Sequence, residues 1–199
     1  MCGIAGGSNL STERLEKMLQ CLRHRGPDAL SFQQLNKFSL GSVRLSIIDR
    51  EHGHQPFRSP CGKITAVCNG EIYNWQELRR KLEAAGHQFK TRCDCEILPA
   101  AWLEWREALP EKLNGMFAFA IHDATTNSLF LARDRCGQKP LYYSAKNSFV
   151  FASEIKAFPA AGIPLELTPA NLSTWLSLRY LPSPKLFSRT SPFYPPRIP

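Results

Sequence analysis

The chain lacks any run of about 18 or more apolar residues, the length a bilayer-spanning helix needs. Its first residues also lack the basic segment and following apolar stretch of a secretory leader. These absences lead us to expect a cytoplasmic protein with no membrane partner. No C-x-x-C pair occurs, and the cysteines number seven, an odd count that argues for reduced thiols over a disulfide framework. Gly-rich phosphate loops and internal repeats are missing too. The formal charge is +8, but the basic residues are scattered and form no RNA- or DNA-binding fingerprint, so nucleic acid is not an expected partner.

What remains is the composition of an ordinary globular chain: 199 residues, 43% hydrophobic and 21% charged, enough to bury one sizeable core. Residues 2–8 (CGIAGGS) suit a buried N-terminal strand. Ser11 can cap a following helix whose Leu15, Met18, Leu19 and Leu22 fall on one face. Gly26 and Pro27 in RHRGPD (residues 23–28) break that pattern. Residues 39–48 and 64–68 read as strands. NGEIYN (residues 69–74) reads as a turn, after which Asn74 and Glu77 can cap a helix carrying Leu78 and Leu82 and ended by Gly86. A further helix is expected over 96–107, with Pro99 tolerable only in its first turn. From residue 116, MFAFAIHD, SLFLARD, LYYSA and FVFAS read as an antiparallel meander. The order of elements argues for an α+β protein built in layers. Residues 182–199 hold six prolines and no apolar period, which predicts an irregular tail after a domain spanning 2–181.

The chemistry centres on Cys2. A small second residue permits removal of Met1, leaving a free α-amine beside a thiol. That amine, with an unperturbed pKa of roughly 7.7–8.0, can act as base for the neighbouring nucleophile. Taken alone, Cys2 is more simply a small buried hydrophobe. Amide cleavage also needs donors for a developing oxyanion, and the Asn69 side chain with the Gly70 N–H could supply them, although Asn-Gly alone often just makes a turn. If the amide belongs to a free amino acid, Arg44 can pair with its α-carboxylate, while Asp94 and the backbone around Glu71 can hold its α-ammonium.

MCGIAG, RHRGPD, RLSIID, NGEIYN, DCE, NGMFAFAIHD, RDRCGQKPLYY and SEIKA, in that order, resemble the N-terminal glutaminase domain of glutamine-dependent asparagine synthetases, a class II amidotransferase of the N-terminal-nucleophile (Ntn) hydrolase type. The resemblance implies a four-layer αββα sandwich of two antiparallel sheets. It implies Cys2 as nucleophile, Asn69 and Gly70 as the oxyanion hole, and a glutamine pocket of Arg44, Leu45, Ile47, Ile48, Glu71 and Asp94, shaped in part by Arg25. It implies no metal or cofactor for the glutaminase step. ATP and Mg belong to the family's synthetase domain, whose SGGxDS-like loop is not found in this sequence, so a synthetase domain or subunit in trans is the expected partner.

The segment LFSRTSPFYPPRIP departs from the family, which suggests a truncated synthetase gene. Pro99 stands where the family has an aliphatic residue and could displace Asp94. Three other readings compete: an inactive remnant or binding module; an amidase acting on another amide; and a metal site from Cys61, Cys68, Cys93 and Cys95 with His52 and His54, whose spacing fits no familiar zinc pattern.

Overall fold

The computed structural model describes residues 1–145, 148–165 and 169–179. The predicted tail at 182–199 and the predicted domain end at residue 181 lie outside the described residues.

Two antiparallel sheets form the centre of the fold. In chain order, β1 (Gly3–Ser8) leads into α1 (Thr12–Cys21), then the hairpin of β2 (Ala29–Leu35) and β3 (Phe38–Arg44). The short β4 (Phe57–Arg58) and long β5 (Ile64–Ile72) precede α2 (Trp75–Ala84), α3 (Ile97–Trp105) and the single turn α4 (Leu109–Lys112). The strands β6 (Gly115–Asp123), β7 (Ser128–Arg133), β8 (Tyr142–Ser144) and β9 (Val150–Ala152) follow, then α5 (Pro169–Leu178). One sheet has the order β2-β3-β1-β9-β8 and the other β4-β5-β6-β7.

Side chains alternate across a strand, so each sheet has two faces to bury. Ile4, Leu40, Val67, Ala118, Ala120, Leu131 and Phe151 pack between the sheets. Ala5 and Val43 point the other way, onto Leu15, Met18, Leu19 and Leu22 of the α1 segment. Ala66, Cys68, Phe119 and Ile121 turn outward onto Leu78, Leu82, Ile97, Leu98 and Trp102 of α2 and α3. The layers are therefore helix, sheet, sheet, helix. This two-sided burial explains why MFAFAIHD is almost continuously apolar. At about 1.5–3 kcal/mol for each fully buried large side chain, these clusters dominate the stability of the fold.

Several expectations hold in detail. Ser11 Oγ accepts the Arg14 N–H at 3.3 Å, and Leu15, Met18 and Leu19 are fully buried. Pro99 lies in the first turn of α3, where a missing N–H costs little, and Gly86 closes the α2 segment with a φ of +96°.

Others are corrected. Asn69–Gly70 is not a turn, because pairing with Gly115–Ala118 of β6 extends β5 through Ile72, and the chain turns at Tyr73 and Asn74 instead. Asn74 sits at the N-cap of α2 without capping it. Its carboxamide is spent across the fold, donating to Lys112 O and accepting the Asn114 N–H, each at 2.9 Å. The last four strands are not one meander: β6 and β7 stay beside β5, whereas β8 and β9 cross to the other sheet and join β1.

Candidate active site

The cleft opens where the first residues of the chain meet the end of β5. Period-two alternation sends Cys2 to the same side as Ile4 and Asn69 to the same side as Val67, so both side chains face the space between the sheets. A cavity of about 400 Å³ lies there, within the usual range for small-molecule sites. It is lined by Cys2, Arg44, Leu45, Ile47, Ile48, Asn69, Gly70, Glu71 and Asp94, together with Met1, Gln55, Cys93, Cys95, Met116 and Lys139.

Cys2 Sγ lies 3.7 Å from the Leu45 carbonyl oxygen. Burial pushes the thiol pKa up, and the positive charges of the N-terminal amine and Arg44 only partly offset it. A neutral thiol is a weak nucleophile, so chemistry at Cys2 would call for a base nearby. The Cys2 carbonyl is held by Arg25, whose Nε donates to it at 2.9 Å while Nη1 pairs with Glu154 Oε1 at 2.8 Å. Arg25 stands behind Cys2 and does not line the cavity.

Asn69 is 1% exposed, yet neither its Nδ2 nor its Oδ1 has a hydrogen-bond partner. Burying an unpaired amide costs about 1–3 kcal/mol, so such a group aimed into a cavity marks a place that a ligand completes. Gly70 adds a second donor. Phe117, opposite it on β6, directs its N–H to Asp134 Oδ2 at 3.3 Å and accepts the Asp134 N–H at 2.8 Å. Gly70 therefore turns its own N–H and C=O to the other edge of β5, which faces the cleft. No side chain fits here, because a Cβ on Gly70 would overlap the Met116 carbonyl oxygen and lie 2.6 Å from Phe117 Cα.

Arg44 is 4% exposed, and its guanidinium organises residues 45–50: Nη1 donates to Arg50 O at 3.0 Å, and Nη2 to Ile48 O at 2.9 Å and Asp49 O at 2.7 Å. Much of the fork predicted for a substrate carboxylate is thus engaged by this loop, with Nε and one Nη1 hydrogen left over. Asp94 is 3% exposed and lines the cavity, so Pro99 has not expelled it, and Oδ2 accepts the Ile72 N–H at 2.8 Å. Glu71 is partly exposed at the same rim, and Ile47 is 61% exposed at the mouth.

The sequence motifs do not point to Gln55 or Lys139 as members of the site. Lys139 is 5% exposed, with Nζ 3.3 Å from Met1 Sδ. Its one sequence signal is its place in RDRCGQKPLYY. Of the thiols considered for a metal, Cys61 is exposed whereas Cys68, Cys93 and Cys95 are buried. Among the described residues no group of three or more His, Cys, Asp or Glu side chains is arranged to hold a metal ion. A larger depression of about 530 Å³, lined by Asn114, Phe117, Arg133 and Cys136, contains no unpartnered buried side-chain amide among the described residues.

Two antiparallel sheets between helical layers, with the Cys2 thiol at the cleft between them, define an α+β sandwich of the Ntn-hydrolase type. The same fold is found in glutamine phosphoribosylpyrophosphate amidotransferase from B. subtilis, complexed with ADP and GMP, at a TM-score of 0.68 and 22% identity over 85% of this chain and 46% of that one. A family profile described as a glutamine amidotransferase domain matches residues 1–197, and the chain belongs to that family. It is 40% identical over 169 residues to asparagine synthetase [glutamine-hydrolyzing] 3 of Bacillus subtilis (strain 168), covering 80% of this chain and 28% of the relative. Identity to asparagine synthetase [glutamine-hydrolyzing] 1 of the same strain is 39% over 193 residues, covering 92% and 30%. An amidase, chry2 of Gibberella zeae, is 40% identical over 162 residues, covering 79% and 24%. The chain thus spans less than a third of the length of these curated relatives. No helix among the described residues is long and apolar enough to cross a membrane.

Proposed function

We propose that this glutamine amidotransferase domain hydrolyses L-glutamine with Cys2 as the N-terminal nucleophile. The observation that carries the reading is the Asn69 carboxamide, buried and unpartnered in the same cavity as Cys2. Removal of Met1 leaves the Cys2 α-amine to take the thiol proton. The thiolate attacks the side-chain carboxamide carbon, and the oxyanion is received by Asn69 Nδ2 and the Gly70 N–H. The amine returns the proton to the leaving nitrogen, ammonia departs, and water hydrolyses the γ-glutamyl thioester to glutamate. The remaining Arg44 donors and the Glu71 and Asp94 carboxylates serve the charged amino-acid end, with Leu45, Ile47 and Ile48 along the stem.

Glutamine hydrolysis by this route needs no metal or organic cofactor. Because the relatives are named as glutamine-hydrolysing asparagine synthetases, we further propose that the ammonia serves a synthetase domain or subunit, to which any ATP and Mg requirement belongs, in the cytoplasm and without nucleic acid or membrane as partner. The test is ammonia release from L-glutamine by protein whose intact mass shows Met1 removal, beside Cys2→Ala. Cys2-dependent release is the expected result. Absence of release from folded, processed protein would leave a binding module in place of an enzyme.

A further inference from the structure

The edge of β5 that faces the cleft is filled in an unusual order. Its Ala66 rung is ordinary: Ala66 lies opposite Phe57 of β4. Extending that register by two residues would set residue 55 against Cys68. At that rung the main chain of β4 has ended, and a side chain takes its place. Gln55 Oε1 accepts the Cys68 N–H at 2.6 Å, and Gln55 Nε2 donates to the Cys68 carbonyl at 2.9 Å. One carboxamide thus makes both bonds that a strand residue would have made. Two residues on, the Gly70 groups are left to the cleft, and beyond them the Ile72 N–H is taken by Asp94. Gly70 is the open rung between two side-chain anchors.

Gln55 is 6% exposed, and its own carbonyl accepts from Ser31 Oγ on β2, so it also ties β5 to the opposite sheet. Its carboxamide grips the peptide immediately before Asn69. A change there would rotate the two donors assigned to the oxyanion, Asn69 Nδ2 and Gly70 N–H, while Arg44 and Asp94, which address the other end of a substrate, keep their own supports.

We propose that Gln55 is a positioning residue for the oxyanion donors, acting by supplying the missing ladder rung at Cys68. The proposal rests on the glutaminase reading given above and extends it to a residue whose carboxamide is engaged by the Cys68 main chain. It predicts a loss in the chemical step and not in ground-state binding. Deleting an oxyanion donor typically costs about 100- to 1,000-fold in kcat, and misdirecting one should cost about tenfold or more.

Two variants separate this role from simple structural support. Gln55→Met keeps length and volume but removes both bonds. Its kcat should fall about tenfold or more with KM within about twofold, and the Cys68 amide should exchange its hydrogen faster than in the parent. Gln55→Glu offers a pH signature. As a neutral acid the new carboxyl can accept from the Cys68 N–H and donate to the Cys68 carbonyl, as the amide does; as a carboxylate it can only accept and repels that carbonyl. The ratio of variant to parent kcat should therefore rise as pH falls through the titration of the introduced group, while the Gln55→Met ratio stays flat.

A folded Gln55→Met with parental kcat, or a Gln55→Glu ratio that does not change with pH, overturns the proposal. If Gln55→Met does not fold, the Gln55→Glu ratio decides. A parent that releases no ammonia overturns the glutaminase reading instead, and the Cys68 exchange rate in Gln55→Met then decides the anchoring role: faster exchange supports it, and unchanged exchange overturns it.

Discussion

Arg25 and Glu154 form an ion pair 2.8 Å long, and the same guanidinium donates from Nε to the Cys2 carbonyl at 2.9 Å. Glu154, 129 residues from Arg25 in sequence, thereby bears on the position of Cys2. The preceding residue supports the same strand. Ser153 Oγ accepts the Ile4 N–H at 2.9 Å, and the Ser153 N–H donates to the Ile4 carbonyl at 2.8 Å. SEIKA thus fastens the start of β1 from its far side.

Glu154→Gln keeps the shape of that contact and removes its charge. We predict a kcat lowered several-fold with KM little changed, and a stability loss of about 1–3 kcal/mol, the usual cost of a lost charge-assisted hydrogen bond. Ammonia kinetics and urea unfolding of the same preparation check both.

Asn69→Ala should separate activity from stability. Removing the carboxamide deletes the proposed oxyanion donor, so kcat should drop about 100-fold or more. The same change removes a buried amide that makes no hydrogen bond to another protein group, so the melting temperature should change little or rise. A large fall in melting temperature would contradict the unpartnered state.

Gly70→Ala tests the close approach of β5 and β6. The added methyl meets main-chain atoms of Met116 and Phe117, which cannot swing aside as a side-chain tip could. We expect destabilisation of about 1–3 kcal/mol, the usual cost of overpacking, with activity lost as well because the donor moves. Thermal unfolding reads the first effect.

Acid should unfold the protein through two carboxylates. Burial alone would raise the Asp123 carboxyl, but hydrogen bonds from Thr125, Trp102 and Arg106 outweigh it and hold the pKa at about 2. Burial also opposes Glu154, and Arg25, His24 and Lys156 bring it to about 2. Unfolded, such groups titrate near pH 4. Their contribution is therefore complete above about pH 4 and is lost as pH falls through about 2. Stability measured by denaturant between pH 5 and 2 should decline, with a smaller decline in Asp123→Asn.

How much of the fold and site is legible in the sequence follows from the range of the interactions. Cys2, Asn69 and Asp94 stand in short motifs, and alternation alone can aim the first two into one cleft. Asn69–Gly70 reads as a turn because the local preference of Asn-Gly is strong, and only the pairing with β6 overrides it. Asn74 reads as a helix cap for the same local reason, while its partners lie 38 and 40 residues away. β2 gives little signal because Gln33 and Gln34 interrupt its apolar pattern, and β4 gives none because it has two residues. Gln55 carries no periodic signal at all: its part depends on a side chain standing in for a strand.

The central claim is that Cys2 is the nucleophile, and covalent labelling tests it most directly. Protein with Met1 removed would be treated with a glutamine analogue carrying a diazoketone in place of the side-chain amide, and the modified residue located by peptide mass. The account predicts one label, on Cys2, slowed by L-glutamine and absent in Cys2→Ala. Labelling of Cys93 or Cys95 in the same cavity, or none on folded protein, would contradict it.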